Sequence, residues 1–341
     1  MADLDWGTRD LSVDSAVNLP RLNHLLQQLD ADEHQLHSML WVQGDTLVLE
    51  EYYNDYALDS LQDMRSATKS IRSLLLGIAL DQGWIEDVED PFLKYLPGHE
   101  VQKNIDPRKQ QIRIVDLMTM SSGLDCNDWD RRSKGQEDKA YRKPADQWVQ
   151  LALDLPQIND PGDTAMYCSL GAILLARVIE ESSGLTIDQV AERFLFAPMG
   201  ITHYRWGHTS SQREIPTAAK RLYMRPRDMA KIGWMVMHDG VWQGQRIVSE
   251  DWIKESTTAH VRLTGLEYGY FWWRIPLKVG ESERYVQSIL ATGNGGQYII
   301  MIPEIDALFV FTGGAYNSEK DKVPFVLLQR LLIPMAQACV E

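Results

Sequence analysis

Strand-like sequence at both ends of this chain, with a helix-rich stretch between, is what most narrows the folds open to it. Ser38-Met-Leu-Trp-Val-Gln43 and Thr46-Leu-Val-Leu-Glu50 flank Gly44-Asp45 and read as two strands joined by a tight turn. Comparable runs return only late, at Tyr268–Trp273, Gln297–Ile302 and Ala307–Thr312, with Pro303-Glu304-Ile305-Asp306 as a turn between the last two. Helical periodicity covers Leu19–Leu29, the stretch from Ser66 to about Gly83, Ile114–Met120, Pro144–Leu153, Leu170–Glu181, Ile187–Leu195, Arg227–Met237 and Val323 to about Ala338. Glu86–Pro97, broken by Asp90-Pro91 and Leu96-Pro97-Gly98, reads as an exposed connection. The implied architecture is α/β (α+β): an antiparallel sheet flanked by helices and built from both termini. Residues 1–88 and 215–341 would form it, and residues 89–214 an inserted all-helical domain, with the active site between the two.

One helix opens on chemistry. Ser66-Ala67-Thr68-Lys69 precedes Ile71, Leu74, Leu75 and Ile78, the i, i+3, i+4, i+7 stripe of a half-buried helix. Lys69 therefore lies one turn beyond Ser66 on the same face. A serine hydroxyl is a poor nucleophile without a base in hydrogen-bond reach, and the unpaired N–H groups of a helix start favour developing negative charge. A chain of this length offers roughly one Ser-x-x-Lys by chance, so the motif gains its weight from this setting and from its partners later in the chain.

Composition bounds the alternatives. Forty-four per cent hydrophobic and 24% charged residues describe an ordinary globular chain, long enough at 341 residues for a large core. A net charge of −14 with no basic tract argues against a nucleic-acid or anionic-membrane partner. No run of eighteen apolar residues is present, and Met1–Asp10 is polar and acidic rather than leader-like. Cys126, Cys168 and Cys339 are odd in number and widely spaced, which predicts neither a disulfide framework nor a zinc site. Cytoplasm is the expected location, although a chain whose leader had been cut away would read the same. His34/His37 and His203/His208 lack metal-ligand spacing and read as core or surface residues; neither metal nor cofactor is expected. No Gly-x-Ser-x-Gly, Gly-x-Gly-x-x-Gly or P-loop appears.

Two later segments complete a set. Tyr167-Cys168-Ser169 stands after the turn Pro161-Gly162-Asp163 and before the helix at Leu170. Ala291-Thr292-Gly293-Asn294-Gly295-Gly296-Gln297 is a glycine-rich run leading into a predicted strand. With these the chain resembles the penicillin-recognising serine hydrolases, on the branch of class C β-lactamases and their esterase and amidase relatives. Their marks, Ser-x-x-Lys, Tyr-x-Asn or Tyr-x-Ser, and Lys/His-Thr-Gly, are matched in order by Ser66/Lys69, Tyr167/Ser169 and Thr292/Gly293. Met118–Leu124, Phe196–Ile201, Gly240–Gly244 and Tyr268–Trp273 add to a likeness running from about residue 36 to 335.

The resemblance implies roles. Ser66 would be acylated; Lys69, buried beside Tyr167, would help remove its proton; Tyr167 would pass that proton to the leaving group. The backbone N–H groups of Ser66 and Asn294 would form the oxyanion hole, with Thr292 and Gly293 against the substrate and Ser169 hydrogen-bonding near Lys69 and the substrate. Tyr52-Tyr53-Asn54 and Tyr316-Asn317-Ser318 also fit the tyrosine motif, but the family's order makes them turn residues.

The chain departs from the β-lactamase pattern twice: Tyr-x-Asn is Tyr-x-Ser, and Ala291 stands where a lysine or histidine is usual. Both departures point away from β-lactams and towards esters or amides, as in family VIII carboxylesterases and nylon-oligomer hydrolases. The partner expected is a small ester or amide; a slow-turnover penicillin-binding-like sensor, a true β-lactamase and a D-amino-acid amidase are the alternatives. Asp125, Asp128 and Asp130 beside Trp129 read as a solvated acidic loop bordering the cleft, with attraction of a substrate amine the sharper possibility.

Overall fold

The early hairpin forms where the pattern puts it, Leu36–Gln43 against Thr46–Tyr52. In the computed structural model, which describes residues 7–8, 19–31, 34–207 and 221–339, this hairpin joins strands from the other end of the chain. The order across the sheet is Gly7–Thr8, Thr46–Tyr52, Leu36–Gln43, Ala307–Gly313, Gln297–Ile302, Tyr285–Gly293, Trp273–Lys278, Leu266–Tyr268 and Val261–Leu263. All neighbours pair antiparallel except Gly7–Thr8, which runs parallel to its partner. The sheet is built from both ends of the sequence, and Val310 opposite Leu40 marks the seam.

Gln297–Ile302 and Ala307–Gly313 are buried at every position, so both faces of the sheet centre are covered and the strands read as continuous apolar runs. The helix Pro226–Met237 packs across the central strands. Large side chains at the centre, Trp41, Phe309 and Phe311 among them, are fully buried, each worth about 1.5–3 kcal/mol of transfer free energy. Away from the sheet, Thr68–Asp81 packs against Ser169–Ser183, which ends on a left-handed Gly184. Among the described residues no helix is long and apolar enough to cross a membrane.

Four features correct the reading of the sequence. Tyr268–Trp273 is not one strand: the chain reverses within it, Gly269 N–H donating to Trp272 O at 2.8 Å, so Tyr268 pairs with Trp273. Tyr268, Tyr270, Phe271 and Trp272 are all buried; aromatic content signalled burial, not direction. Ala291–Gly293 closes the strand Tyr285–Gly293 rather than leading into the next. Glu86–Pro97 contains a 3-10 turn, Phe92–Tyr95, with Phe92 and Leu96 buried. Cys126 and Cys168 are joined in a disulfide, a pairing that spacing could not show because the two lie 42 residues apart; the bond removes the cysteines as an argument for a reducing compartment. The boundary placed between residues 214 and 215, and His208, lie outside the described residues. His37 is buried, bonded to Gln62 at 2.9 Å, and His203 is exposed.

Candidate active site

A small second sheet sets the nucleophile's place. Gln62–Asp63 pairs with Arg221–Met224, itself paired with Tyr204–Gly207, and Met64 N–H donates to Leu222 O at 3.0 Å. The chain then turns sharply: Arg65 is left-handed, φ 49, a conformation costing a side-chain-bearing residue about 1–2 kcal/mol. Asp63 holds it there, accepting Arg65 N–H at 3.0 Å and pairing with its Nε at 3.0 Å. Ser66 comes next, in the 3-10 turn Arg65–Ala67, immediately before the helix that begins at Thr68.

The strand Tyr285–Gly293 ends against this turn. A Cβ on Gly293 would lie 2.3 Å from Met64 O and 3.0 Å from Arg65 Cβ. Only glycine lets the strand come so close, and that approach brings Asn294 to the cleft of Ser66. Thr292 is half-buried one residue earlier, paired with Tyr298. Ala291 is fully buried opposite Ile299. Beyond the strand, the Asn294 side chain makes two reciprocal bonds with Asn317, Nδ2 to Oδ1 at 2.9 Å and Asn317 N–H to Oδ1 at 3.0 Å. Tyr316 lies under the Arg65 guanidinium, 4.3 Å from ring centroid to Cζ, and against Gly295, where a Cβ would be 2.5 Å from its ring. The pair read as ordinary turn residues thus borders the site.

Lys69 is 5% exposed. Its Nζ is 3.1 Å from Ser66 Oγ and 2.9 Å from Ser169 Oγ. Ser169 O–H donates onward to Glu137 Oε2 at 3.0 Å, and Tyr141 O–H donates to the same oxygen at 3.1 Å. Asp128 accepts two backbone N–H groups, Ser169 at 2.8 Å and Glu137 at 3.0 Å. Burial, with the charge of Glu137 second, pushes the Asp128 carboxyl up to about 6. Burial also holds the Tyr141 hydroxyl well above its ordinary range, keeping it a donor, and lowers Arg72 to about 10.

Tyr167 meets Lys69 differently from the expectation. Lys69 Nζ stands over the ring, 4.7 Å from its centroid, while its hydrogen bonds go to Ser66 and Ser169. The ring is stacked on Trp129 at 4.8 Å and faces Trp273 at 6.2 Å. Three ties join the Trp129 loop to this segment: the disulfide, Asp128 N–H to Tyr167 O at 2.8 Å, and Ser169 N–H to Asp128. Asp128 is therefore not part of a solvated acidic surface. Asp125 and Asp130 do serve their own loop, accepting from Lys134 and Arg132.

Ser66, Lys69, Ser169 and Asn294 line one cavity of about 50 Å³, with Gly293 and Thr292 behind Asn294 and Tyr167 against Lys69. A larger cavity of about 410 Å³, between Arg21, Val279 and Pro334, contains none of them. The sequence did not single out Glu137, Tyr141, Arg72 or Arg221, which line the same cavity as Ser66. Arg72 carried a signal: a cation one turn beyond Lys69, within the predicted helix between Ile71 and Leu74. Glu137 carried none, standing among charged residues without periodicity.

A beta-lactamase family model matches residues 22–328. The 6-aminohexanoate-dimer hydrolase of Paenarthrobacter ureafaciens is 24% identical over 316 residues, 86% of this chain and 75% of that protein. Among solved structures, EstCE1, a hydrolase with promiscuous acyltransferase activity, superposes with a TM-score of 0.71 at 13% identity, covering 95% of this chain and 98% of its own. A D-stereospecific amidohydrolase from Streptomyces sp. does so at 0.66 and 16%, over 89% and 96%. At such identities the structural likenesses establish the fold.

Proposed function

Because the chain belongs to the beta-lactamase family, we propose that it is a serine hydrolase that cleaves a carboxylic ester or amide through a covalent acyl-enzyme on Ser66. The observation that carries this reading is the 3.1 Å contact between Lys69 Nζ and Ser66 Oγ, on a lysine sealed from solvent. With the amine uncharged, the same contact runs the other way: Ser66 O–H donates to Nζ, and its proton passes there as Oγ attacks the carbonyl carbon. The oxyanion is received by the backbone N–H groups of Ser66 and Asn294, which the close approach at Gly293 brings to one cleft. Tyr167, against Lys69, returns the proton to the departing alcohol or amine. Water then cleaves the Ser66 ester, releasing the acid and restoring the hydroxyl.

The groups around this centre narrow the substrate class. A β-lactam's carboxylate needs a cation or strong donor, and a charge-assisted hydrogen bond contributes about 1.5–3 kcal/mol, roughly ten- to a hundredfold in kcat/KM. Ala291 offers none, and the cavity's arginines are engaged elsewhere, Arg65 and Arg221 by Asp63 and Arg72 by the Ala172 carbonyl. Ester hydrolysis needs neither that cation nor an asparagine amide at Ser169. The name of the Paenarthrobacter relative adds a 6-aminohexanoate dimer to the substrates worth testing.

The experiment compares kcat/KM for p-nitrophenyl butyrate, a linear amide dimer and nitrocefin in wild type, Ser66→Ala and Ala291→Lys. The reading expects ester or amide turnover well above nitrocefin, abolished in Ser66→Ala, with a relative gain for nitrocefin in Ala291→Lys. Nitrocefin turnover equal to the ester's overturns the substrate class; full activity in Ser66→Ala overturns the mechanism.

A further inference from the structure

We propose that Glu137 is a positioning residue for the acylation step, acting on Lys69 through the hydroxyl of Ser169. The inference rests on the reading of Ser66 and Lys69 as nucleophile and base.

Donor direction carries it. A serine hydroxyl has one hydrogen and can point it either way. Ser169 gives its hydrogen to the Glu137 carboxylate, which can only accept when ionised. Its oxygen is then left to accept from Lys69, which it does at 2.9 Å. An uncharged lysine amine that donates there turns its lone pair to the other neighbour, Ser66 Oγ at 3.1 Å. With Lys69 uncharged, every bond in the series donates away from the nucleophile: Ser66 to Lys69, Lys69 to Ser169 and Ser169 to Glu137. Such a chain polarises each member in the sense that helps Ser66 lose its proton. When Lys69 becomes an ammonium, the carboxylate two hydrogen bonds away offsets the new charge. No atom of Glu137 takes part in bond making, and its own proton count does not change.

The surroundings fix Glu137 for this task. Asp128 accepts its backbone N–H at 3.0 Å, and Tyr141 O–H donates to the oxygen that receives Ser169. The charged and titratable groups facing it are Lys69 and Arg72 from the helix Thr68–Asp81, Arg221 from the small sheet, and Asp128 and Tyr141. Asp128 and Glu137 repel one another, and the cations on the opposite wall offset part of that repulsion.

The experiment measures pH profiles of kcat and KM for p-nitrophenyl butyrate in Glu137→Gln, Glu137→Ala, Ser169→Ala and Ser169→Ala/Glu137→Gln, with Ser66→Ala as control and circular dichroism melts for folding. Glutamine keeps an acceptor and loses the charge. Its kcat is expected to fall roughly tenfold with KM little changed, and alanine's roughly a hundredfold. The acid limb of the kcat/KM profile should move to lower pH in Glu137→Gln, because the substitution removes a negative charge that faces both Lys69 and Asp128. In the Ser169→Ala background the Glu137→Gln effect on kcat should vanish. A loss of kcat with the limb unmoved, or the same loss in both backgrounds, overturns the proposal while Ser66→Ala remains inactive. Activity in Ser66→Ala overturns instead the reading beneath it.

Discussion

Lys69 addresses Tyr167 through the face of its ring: Nζ lies 4.7 Å from the centroid, with Trp129 stacked 4.8 Å from that ring. Stacking on Trp129 sets the plane of the ring, and Lys69 lies against its face. In the proposed mechanism proton removal and return draw on this one unit, and groups that act as a unit give non-additive losses. Lys69→Ala and Tyr167→Phe should each cost about 10²–10⁴ in kcat, and the double variant little more than the worse single. Steady-state kinetics of the three variants checks this; losses that multiply fully would separate the roles.

Asp128 gives a pH signature in stability. Its folded carboxyl lies at about 6, above the usual 3.8, chiefly because of burial. A raised carboxyl binds its proton more tightly in the folded state, so its contribution to stability is full below the unfolded value and is lost as pH rises through about 6. The melting temperature of wild type minus that of Asp128→Asn should become more positive as pH falls from about 6.5 to about 4. Thermal melts across that window provide the measurement, and a flat difference would mean that Asp128 titrates normally.

The residues around Lys69 also mark how far the sequence was legible. Ser66 and Lys69 could be read because helical spacing alone puts them on one face, and the sheet because its strands are apolar at both ends of the chain. Ser169 was placed near Lys69 by resemblance. Glu137 was not legible: its bond to Ser169 spans 32 residues, and no local pattern marks the charged stretch in which it stands. Asp128 was visible as an acid beside Trp129, but nothing local showed that both its oxygens face inward to backbone N–H groups. Tyr316-Asn317 looked like a turn and is one; only the tertiary fold shows that the turn abuts Arg65 and Asn294.

The disulfide ties the Asp128 loop to the segment carrying Tyr167 and Ser169. Closing a loop of this length constrains the unfolded chain by roughly 3–5 kcal/mol on a chain-entropy account. Cys126→Ser should lower the melting temperature and reduce kcat more than it raises KM, since the loosened groups are those proposed to move protons. Non-reducing peptide mapping should recover the Cys126–Cys168 pair. A reduced pair in active protein would remove the tie from the account.

Asn317 and Tyr316 brace the proposed oxyanion hole from outside, one through Asn294 and the other through Arg65. Asn317→Ala should cost a few-fold to tenfold in kcat, the scale of one or two neutral hydrogen bonds, and weaken a boronic acid inhibitor by a similar factor while KM holds. Inhibition constants measured beside the kinetics test it; unchanged boronate affinity would place the turn outside the hole's support.

A covalent bond at Ser66 is central to all of this chemistry, and intact-mass spectrometry after a fluorophosphonate probe, with peptide mapping of the product, addresses it most directly. The account predicts a single adduct, located on Ser66, absent in Ser66→Ala and formed far more slowly in Lys69→Ala. An adduct on another residue, or unchanged labelling in Ser66→Ala, would contradict it.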